Sequence, residues 1–506
     1  MKQWVLMLAV LLIGILPTFA QDERAPYFEE SACIFAELEG VICGYLTVLE
    51  ARSDPDSAKI YLAVAIIGAR NGDPLPDPVI YLDGGPGSGA IFAIEDFLTH
   101  PLAENRDLIL LDQRGTGFSE PSLNCYEVEG AENADATTQC YERLLKDGIN
   151  LNAYTSSDNA ADVADLRVAL GYEKVNLYGV SYGTRLALSV MRDHPEGIRS
   201  TFLDSVFPPE VNAIGSGSLD TVRAFTYMFN ACANDLECNA AYPDLEANFY
   251  AMIEDFNLSP PTFLYDEGEA EADYELRGDA VLEGLHKALY STEAIPMIPY
   301  GINLMMNAND DADYADAYDI LRGLWTPEAW KNGDSQDTDS VMDSAEVKTY
   351  LDRIGDITDS EGMYSSVTCA EEVPFEDLNI AYAAIDRMPI VLQDYLFQSI
   401  ESAVLDCELW PVDAADRIEA ERVVSDIPTL LISGGFDPVT PPDNGDSALE
   451  GLSKGQHLVF ANGGHGISGS PGCAANIARA FVDDPDAPLD TDCMDTEAFV
   501  DWYIEE

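Results

Sequence analysis

Positive charge is what this sequence lacks most: 26 Lys and Arg stand against 91 Asp and Glu over 506 residues, a formal charge of −65. Without a basic face the chain cannot neutralise phosphates, which excludes nucleic acid as a direct partner and disfavours anionic membrane surfaces. Histidine is scarce too, with five in the chain, and no C-x-x-C occurs; both facts argue against a bound metal. Beyond residue 16 no apolar run approaches the roughly 20 residues needed to cross a bilayer. No repeat of about 20–50 residues is visible. Apolar content, by contrast, is ample at 47%, and with 37 Gly and 28 Pro it describes a folded globule rather than a solvated acidic tail. The length suits one large domain or two to three smaller ones. Acidity this widespread serves solubility and says little about fold. It resembles the surfaces of proteins adapted to high salt, and a merely acidic exported protein fits as well.

Residues 1–20 have the pattern of an export signal. Lys2 precedes an apolar run over residues 5–16, and Pro17-Thr18-Phe19-Ala20 offers small residues to a signal peptidase. Cleavage near Ala20 and a secreted protein, extracellular or periplasmic, are expected. No Cys stands directly after that point, so no lipid anchor is expected there. Ten cysteines suit an oxidising compartment, and proximity in sequence suggests the pairs Cys33–Cys43, Cys125–Cys140, Cys232–Cys238, Cys369–Cys407 and Cys473–Cys493.

Along the rest of the chain, β-rich runs at residues 43–49, 60–67, 78–82 and 107–111 come first. The third ends in Asp83-Gly84-Gly85-Pro86-Gly87. The fourth ends in Asp112-Gln113-Arg114-Gly115-Thr116-Gly117, where Asp112 is expected to pair with Arg114. Thr155 or Ser156 can cap a helix that Gly171 stops. A fifth strand at 175–178, a helix at 182–191 and a sixth strand at 201–203 come next. Short apolar strands alternating with helices predict an α/β fold, its mostly parallel sheet buried on both faces by flanking helices. From about residue 210 to 400 the alternation stops; helical stretches at 221–229, 280–290 and 315–324 are broken by acidic loops such as 266–275 and 307–313. Strand patterns return at 428–433 and 457–460, with a helix at 474–481. The simplest reading is one catalytic core, residues 21–209 and 401–506, interrupted after its sixth strand by a large helical cap at 210–400.

Gly179-Val180-Ser181-Tyr182-Gly183 lies between the fifth strand and its helix, the strand–turn–helix context of a nucleophile elbow. The turn is tight and the serine backbone strained, so the flanking side chains must nearly vanish. The helix N-terminus then aims N–H groups at the serine oxygen. A serine hydroxyl needs a base. His194 sits at a helix end, His286 within the cap, His457 at the start of a strand and His100 near the end of the helix after the glycine loop. His465 alone comes directly after a strand, in Asn462-Gly463-Gly464-His465-Gly466. Position selects Asp437, after the strand at 428–433, as the acid that orients it. The chain order Ser181, Asp437, His465 is that of the α/β hydrolases, whereas Asp83, Asp112 and Asp204 come too early. The oxyanion hole of this arrangement takes the N–H of Tyr182 and one from the glycine loop, where Gly85 is the candidate. As a phosphate cradle the loop fails, since it lacks the Lys-Ser or Lys-Thr that directly follows a Walker loop.

Taken together, the Gly84-Gly85-Pro86-Gly87 loop, Asp112-Gln113-Arg114-Gly115-Thr116-Gly117, Gly179-Val180-Ser181-Tyr182-Gly183-Thr184, Asp437-Pro438-Val439-Thr440-Pro441 and Gly464-His465-Gly466 resemble the proline iminopeptidase / tripeptidyl aminopeptidase family of serine peptidases. Cys407-Glu408-Leu409-Trp410-Pro411 and the residues after it resemble the C-terminal region of the tripeptidyl branch. Asp83 stands where proline iminopeptidases usually have His, which also points to that branch. The resemblance implies an α/β-hydrolase fold, an acyl-enzyme on Ser181, no metal or organic cofactor, and a short peptide as substrate. An enzyme acting at a free N-terminus needs carboxylates for the α-ammonium, and Glu371 and Glu372 are the candidates, although such a pair in so acidic a chain can equally be solvated surface. Two other readings stand beside it: a carboxylesterase or lipase acting on a small acyl ester with the same triad, and a scaffold that binds peptides or lipids without catalysis.

Overall fold

The computed structural model describes residues 25–35, 38–128, 134–266, 271–325, 359–496 and 499–505; the expected export signal, residues 1–20, lies outside them. Its strands are β1 Tyr27–Ser31, β2 Val41–Leu49, β3 Lys59–Ile67, β4 Val79–Leu82, β5 Leu108–Leu111, β6 Val175–Val180, β7 Ile198–Asp204, β8 Thr262–Asp266, β9 Glu271–Glu275, β10 Thr429–Gly434 and β11 Gly455–Phe460. Nine of them form one sheet in the order β1-β2-β3-β5-β4-β6-β7-β10-β11. From β5 to β11 every neighbouring pair is parallel, while β1, β2 and β3 continue the sheet antiparallel. No pattern in the sequence announces β1, whose five residues Tyr-Phe-Glu-Glu-Ser form a largely exposed edge.

The strands β4, β5 and β10 are buried at every position. Period-2 alternation explains how a continuous apolar run suits them: Ile80, Leu82, Ile109 and Leu111 enter one core, and Val79, Tyr81, Leu108 and Leu110 the core on the opposite face. Because β4, β6, β7, β10 and β11 are parallel, their carboxyl ends share one edge, and in such sheets that edge receives ligands.

Between β7 and β10 the chain builds a third core of its own. Helices Ala213–Asn234, Leu245–Leu258, Gly278–Ala288, Ile298–Asn307, Asp311–Trp325 and Ile390–Leu409 bury Phe225, Phe249, Leu285, Ile302, Leu321 and Leu396 among others. Phe436 and Trp502 join it from the C-terminal part. The helix Glu361–Glu371 instead packs Met363 and Val367 into the sheet's core, next to Trp410, so the exit of the insertion is shared with the hydrolase frame. At both ends of the acidic loop expected at 266–275 there is strand instead: β8 pairs antiparallel with β9, setting Phe263 opposite Tyr274. Charged residues at alternate positions hide this in the sequence. Similarly, residues 311–313 open a helix.

All five cysteine pairs suggested by proximity are disulfides, Cys369–Cys407 closing the longest interval, 38 residues. Among the described residues no helix is long and apolar enough to cross a membrane.

Candidate active site

Ser181 stands at the end of β6, one residue before the helix Tyr182–Asp193, with φ +56° and ψ −127°. An L-residue keeps that left-handed backbone only where its surroundings over-determine it, and here they do. The Ser181 N–H donates to Asp204 O at 3.0 Å, and the Thr184 N–H to Ser181 O at 2.9 Å. A Cβ on Gly179 would lie 2.3 Å from Gly183 O, and one on Gly183 would lie 2.0 Å from Leu82 O. Both glycines of the G-x-S-x-G motif are therefore demanded by close backbone approach.

The glycine loop after β4 meets the serine directly: a Cβ on Gly84 would come within 2.9 Å of Ser181 Cβ and 3.3 Å of its Oγ. Gly85 is next, with φ +96°. Tyr182 heads the helix, so its N–H is among those the helix leaves unsatisfied, while its side chain is buried with the hydroxyl 2.8 Å from Ser156 Oγ. Asp83 accepts from the Tyr81 hydroxyl at 2.9 Å and the Gly84 N–H at 2.8 Å, bracing the start of the loop.

Asp437 and His465, 28 residues apart in sequence, meet with Nδ1 and Oδ2 at 2.8 Å. Asp437 is fully buried, and it also accepts from Thr440 Oγ1 at 2.6 Å and from the N–H groups of Val439 and Thr440 at 3.0 and 2.8 Å. Burial alone would raise its pKa, but the facing imidazole and these donors hold it below the usual carboxylate value. For His465 burial favours the neutral ring; the charge and hydrogen bond of Asp437, together with the charge of Asp204, outweigh it and raise the pKa. The loop carrying the imidazole lies against the ends of β6 and β7: Gly466 N–H donates to Ser205 Oγ at 2.8 Å, and a Cβ on Gly466 would touch Val180 at 3.6 Å.

Thr440 escapes a reading of the sequence for catalytic groups, although Asp437-x-x-Thr440 is a turn pattern in which a carboxylate takes nearby N–H groups. Asp204, too early in the chain to be the triad acid, braces the histidine loop instead, accepting from Ser468 N and Oγ at 2.7 and 2.5 Å. Three other histidines are occupied elsewhere. His100 Nε2 is 2.8 Å from Ser468 O, His286 Nδ1 is 3.1 Å from Thr221 Oγ1, and His457 lies between Asp446 and Ser433. Asp112 does not pair with Arg114 as expected. It accepts from the N–H groups of Ile91 and Phe118, both at 2.8 Å, while Arg114 forks onto Asp162 at 2.7 and 2.8 Å.

Glu371 and Glu372 are not solvated surface. Both are buried against Arg185, one helical turn after Ser181: Arg185 Nη1 lies 2.6 Å from Glu372 Oε1, and its Nε 3.5 Å from Glu371 Oε2. Glu371 also accepts from Ser156 N and Oγ, both at 2.6 Å, and Glu372 from Ala213 N at 2.8 Å. Burial pushes the Glu372 carboxyl up to about 7, despite the opposing pull of Arg185. Beside this cluster is a cavity of about 600 Å³, lined in part by Glu210, Asn212, Glu371, Phe375, Glu376 and Arg417.

Two family profiles match the chain, one described as alpha/beta hydrolase fold over residues 77–244 and one as TAP-like protein over residues 395–493. With a serine elbow at the sheet's carboxyl edge, the chain is a serine hydrolase of the α/β-hydrolase fold. Its resemblance to the proline iminopeptidase and tripeptidyl aminopeptidase family extends over most of its length. Serine protease Hip1 of Mycobacterium tuberculosis is 26% identical over 471 residues, covering 85% of this chain and 82% of that protein. The tripeptidyl aminopeptidase of Streptomyces lividans is 26% identical over 465 residues, covering 84% of this chain and 78% of its own. A proline iminopeptidase of Xylella fastidiosa is 33% identical over 136 residues, covering 27% of this chain and 34% of that one.

Proposed function

We propose that the chain is a secreted aminopeptidase that releases short peptides from a free N-terminus through an acyl-enzyme on Ser181. The observation that carries this reading is the convergence, at one sheet edge, of a strained serine, a glycine loop packed on that serine and a buried Asp437–His465 pair. In the first half-reaction Ser181 Oγ attacks the scissile carbonyl carbon while His465 Nε2 takes its proton. Asp437 holds Nδ1–H and stabilises the imidazolium. The carbonyl oxygen, now negative, is received by the N–H groups of Tyr182 and Gly85. The C–N bond then breaks as His465 returns the proton to the leaving amine. Water repeats the sequence on the ester, regenerating Ser181 and freeing the N-terminal fragment as its carboxylate. No step calls for a metal or an organic cofactor.

The names of the relatives favour a peptide substrate, and the electrostatics beside the nucleophile's helix favour a cationic end on it. Glu371 and Glu372 face one guanidinium, so once Glu372 ionises, above about pH 7, the cluster carries an excess of negative charge where water screens it poorly. A substrate α-ammonium in the adjoining cavity offsets that excess. In the same reading the insertion roofs the carboxyl edge and limits substrates to short peptides, and the disulfides suit an exported protein.

The test is a fluorophosphonate probe followed by a substrate panel. Covalent labelling at Ser181, lost in Ser181→Ala, establishes the nucleophile, and preference for tripeptide anilides over acyl esters establishes the class. An unlabelled Ser181, or faster turnover of esters throughout the panel, contradicts the reading.

A further inference from the structure

The loops that carry the acid and the base are tied to the insertion as well as to the sheet. From the helix Ala213–Asn234, Arg223 donates through Nη1 to Gly435 O at 3.0 Å and through Nη2 to Asp437 O at 2.5 Å. One turn later Tyr227 donates its hydroxyl to Ala461 O at 3.1 Å and sets its ring edge-on to Phe436, centroids 4.9 Å apart. Residues 289–292, just after the helix Gly278–Ala288, hold the base's loop. The His465 N–H donates to Tyr290 O at 2.8 Å, the Gly464 N–H to Thr292 Oγ1 at 2.9 Å, and the rings of Tyr290 and His465 are 4.9 Å apart. Contact is so close that a Cβ on Gly464 would sit 2.4 Å from Tyr290 O. The glycine loop is held too, since the Ser360 N–H donates to Gly87 O at 3.0 Å.

We propose that Arg223 is a positioning residue for the triad, and that the insertion thereby assembles the catalytic geometry as well as covering it. The inference rests on the triad proposed above. A planar guanidinium bonded to two carbonyls of one loop fixes that loop's orientation, which a single bond or a point charge cannot do. The carbonyl of Asp437 itself is one of the two, so rotation of this backbone would swing the carboxylate that holds His465. Opening the insertion far enough to break this seam disperses the acid, the base and the glycine loop together. Hydrolysis then proceeds only in the closed form, with the substrate already enclosed.

The experiment compares Arg223→Ala, Arg223→Lys and Thr292→Val with the exposed Arg277→Met in the full chain. Three readouts are used: kcat, KM, and the second-order rate of Ser181 labelling by a fluorophosphonate. A misplacement of about 1 Å costs up to about 100-fold in rate. Arg223→Ala is therefore expected to lower kcat by roughly 10- to 100-fold, with KM within about twofold and the labelling rate falling in parallel. Guanidinium ion at millimolar concentration should restore part of both rates, and Arg223→Lys should recover less than half of the loss. Thr292→Val, which removes a single bond, should lower kcat several-fold and keeps the proposal open to refutation if Arg223→Ala does not fold. Rates within twofold of wild type in the folded variants, or a change confined to KM, would overturn it. Wild-type protein that takes no label at Ser181 would instead overturn the underlying site and this inference with it.

Discussion

Arg185→Met is the substitution whose consequence the structure defines most closely. Arg185 is 1% exposed and lies one turn beyond Ser181. It pairs with Glu372 and Glu371, donates to Glu419 O at 3.0 Å, and places its guanidinium 5.1 Å from the Phe207 ring centroid. Methionine fills much of the volume but leaves two buried carboxylates facing each other without a cation. Removing one partner of a buried pair costs about 3–5 kcal/mol, mostly the penalty of the stranded charge. The pH dependence has a definite sign. The Glu372 pKa is already raised from 4.5 to about 7, and loss of the cation raises it further. A group with a raised folded pKa contributes stability that is fully present below its unfolded pKa and is lost as pH rises through the folded value. The deficit of Arg185→Met against wild type should therefore grow as pH rises past about 7, being larger at pH 8 and shrinking towards pH 5. Urea unfolding followed by tryptophan fluorescence at the two pH values measures this, with slopes compared to confirm that midpoints report stability. A companion triple variant, with Glu371→Gln and Glu372→Gln added, should regain most of the loss at pH 8. A deficit below about 1 kcal/mol at pH 8, or an equal deficit at both pH values, would show that no stranded charge is responsible.

Three further outcomes are expected. Because His465 must be neutral to act as base and its pKa is raised, kcat/KM should climb with a midpoint above the ordinary histidine value of about 6.5, and Asp437→Asn should move that midpoint down; a wild-type midpoint at or below 6.5 in a pH–rate profile contradicts the pair. Gly183→Ala, whose Cβ would meet Leu82 O at 2.0 Å, should lose more than about 100-fold in Ser181 labelling, whereas Gly217→Ala, with nothing within 4 Å, should label normally and gain up to about 1 kcal/mol in stability. Replacing both Cys369 and Cys407 by serine opens a 38-residue interval and should cost about 4 kcal/mol on the chain-entropy estimate, seen as a lower urea midpoint; a cost under about 1 kcal/mol would show that the crosslink restrains little.

Why some elements are legible in the sequence and others are not has physical reasons. Parallel strands covered on both faces favour apolar side chains throughout, so β4 and β5 stand out as short uninterrupted runs and β10 by Leu430-Leu431-Ile432. The elbow is legible because its close approaches tolerate only glycine at Gly179 and Gly183. The edge strand β1 is not, since an exposed edge has no side-chain requirement that a loop lacks. Acidity masks the alternation in β9 and conceals that Glu371 and Glu372 are buried around Arg185. Arg223 and Tyr290 carry no signal at all. Their partners are backbone groups of residues 435, 437 and 465, far along the chain, and a carbonyl or N–H looks the same in every sequence.

Whether Ser181 directs hydrolysis to a free N-terminus is decided by kcat/KM for one tripeptide anilide and its N-acetylated form, measured on purified protein. A buried carboxylate cluster that has lost its ammonium partner is left with an uncompensated charge costing about 3 kcal/mol or more, so the free amine should be favoured by at least about 100-fold. Both activities should vanish in Ser181→Ala. Equal or faster turnover of the acetylated peptide by the wild-type protein would mean that no site for the α-ammonium governs the reaction.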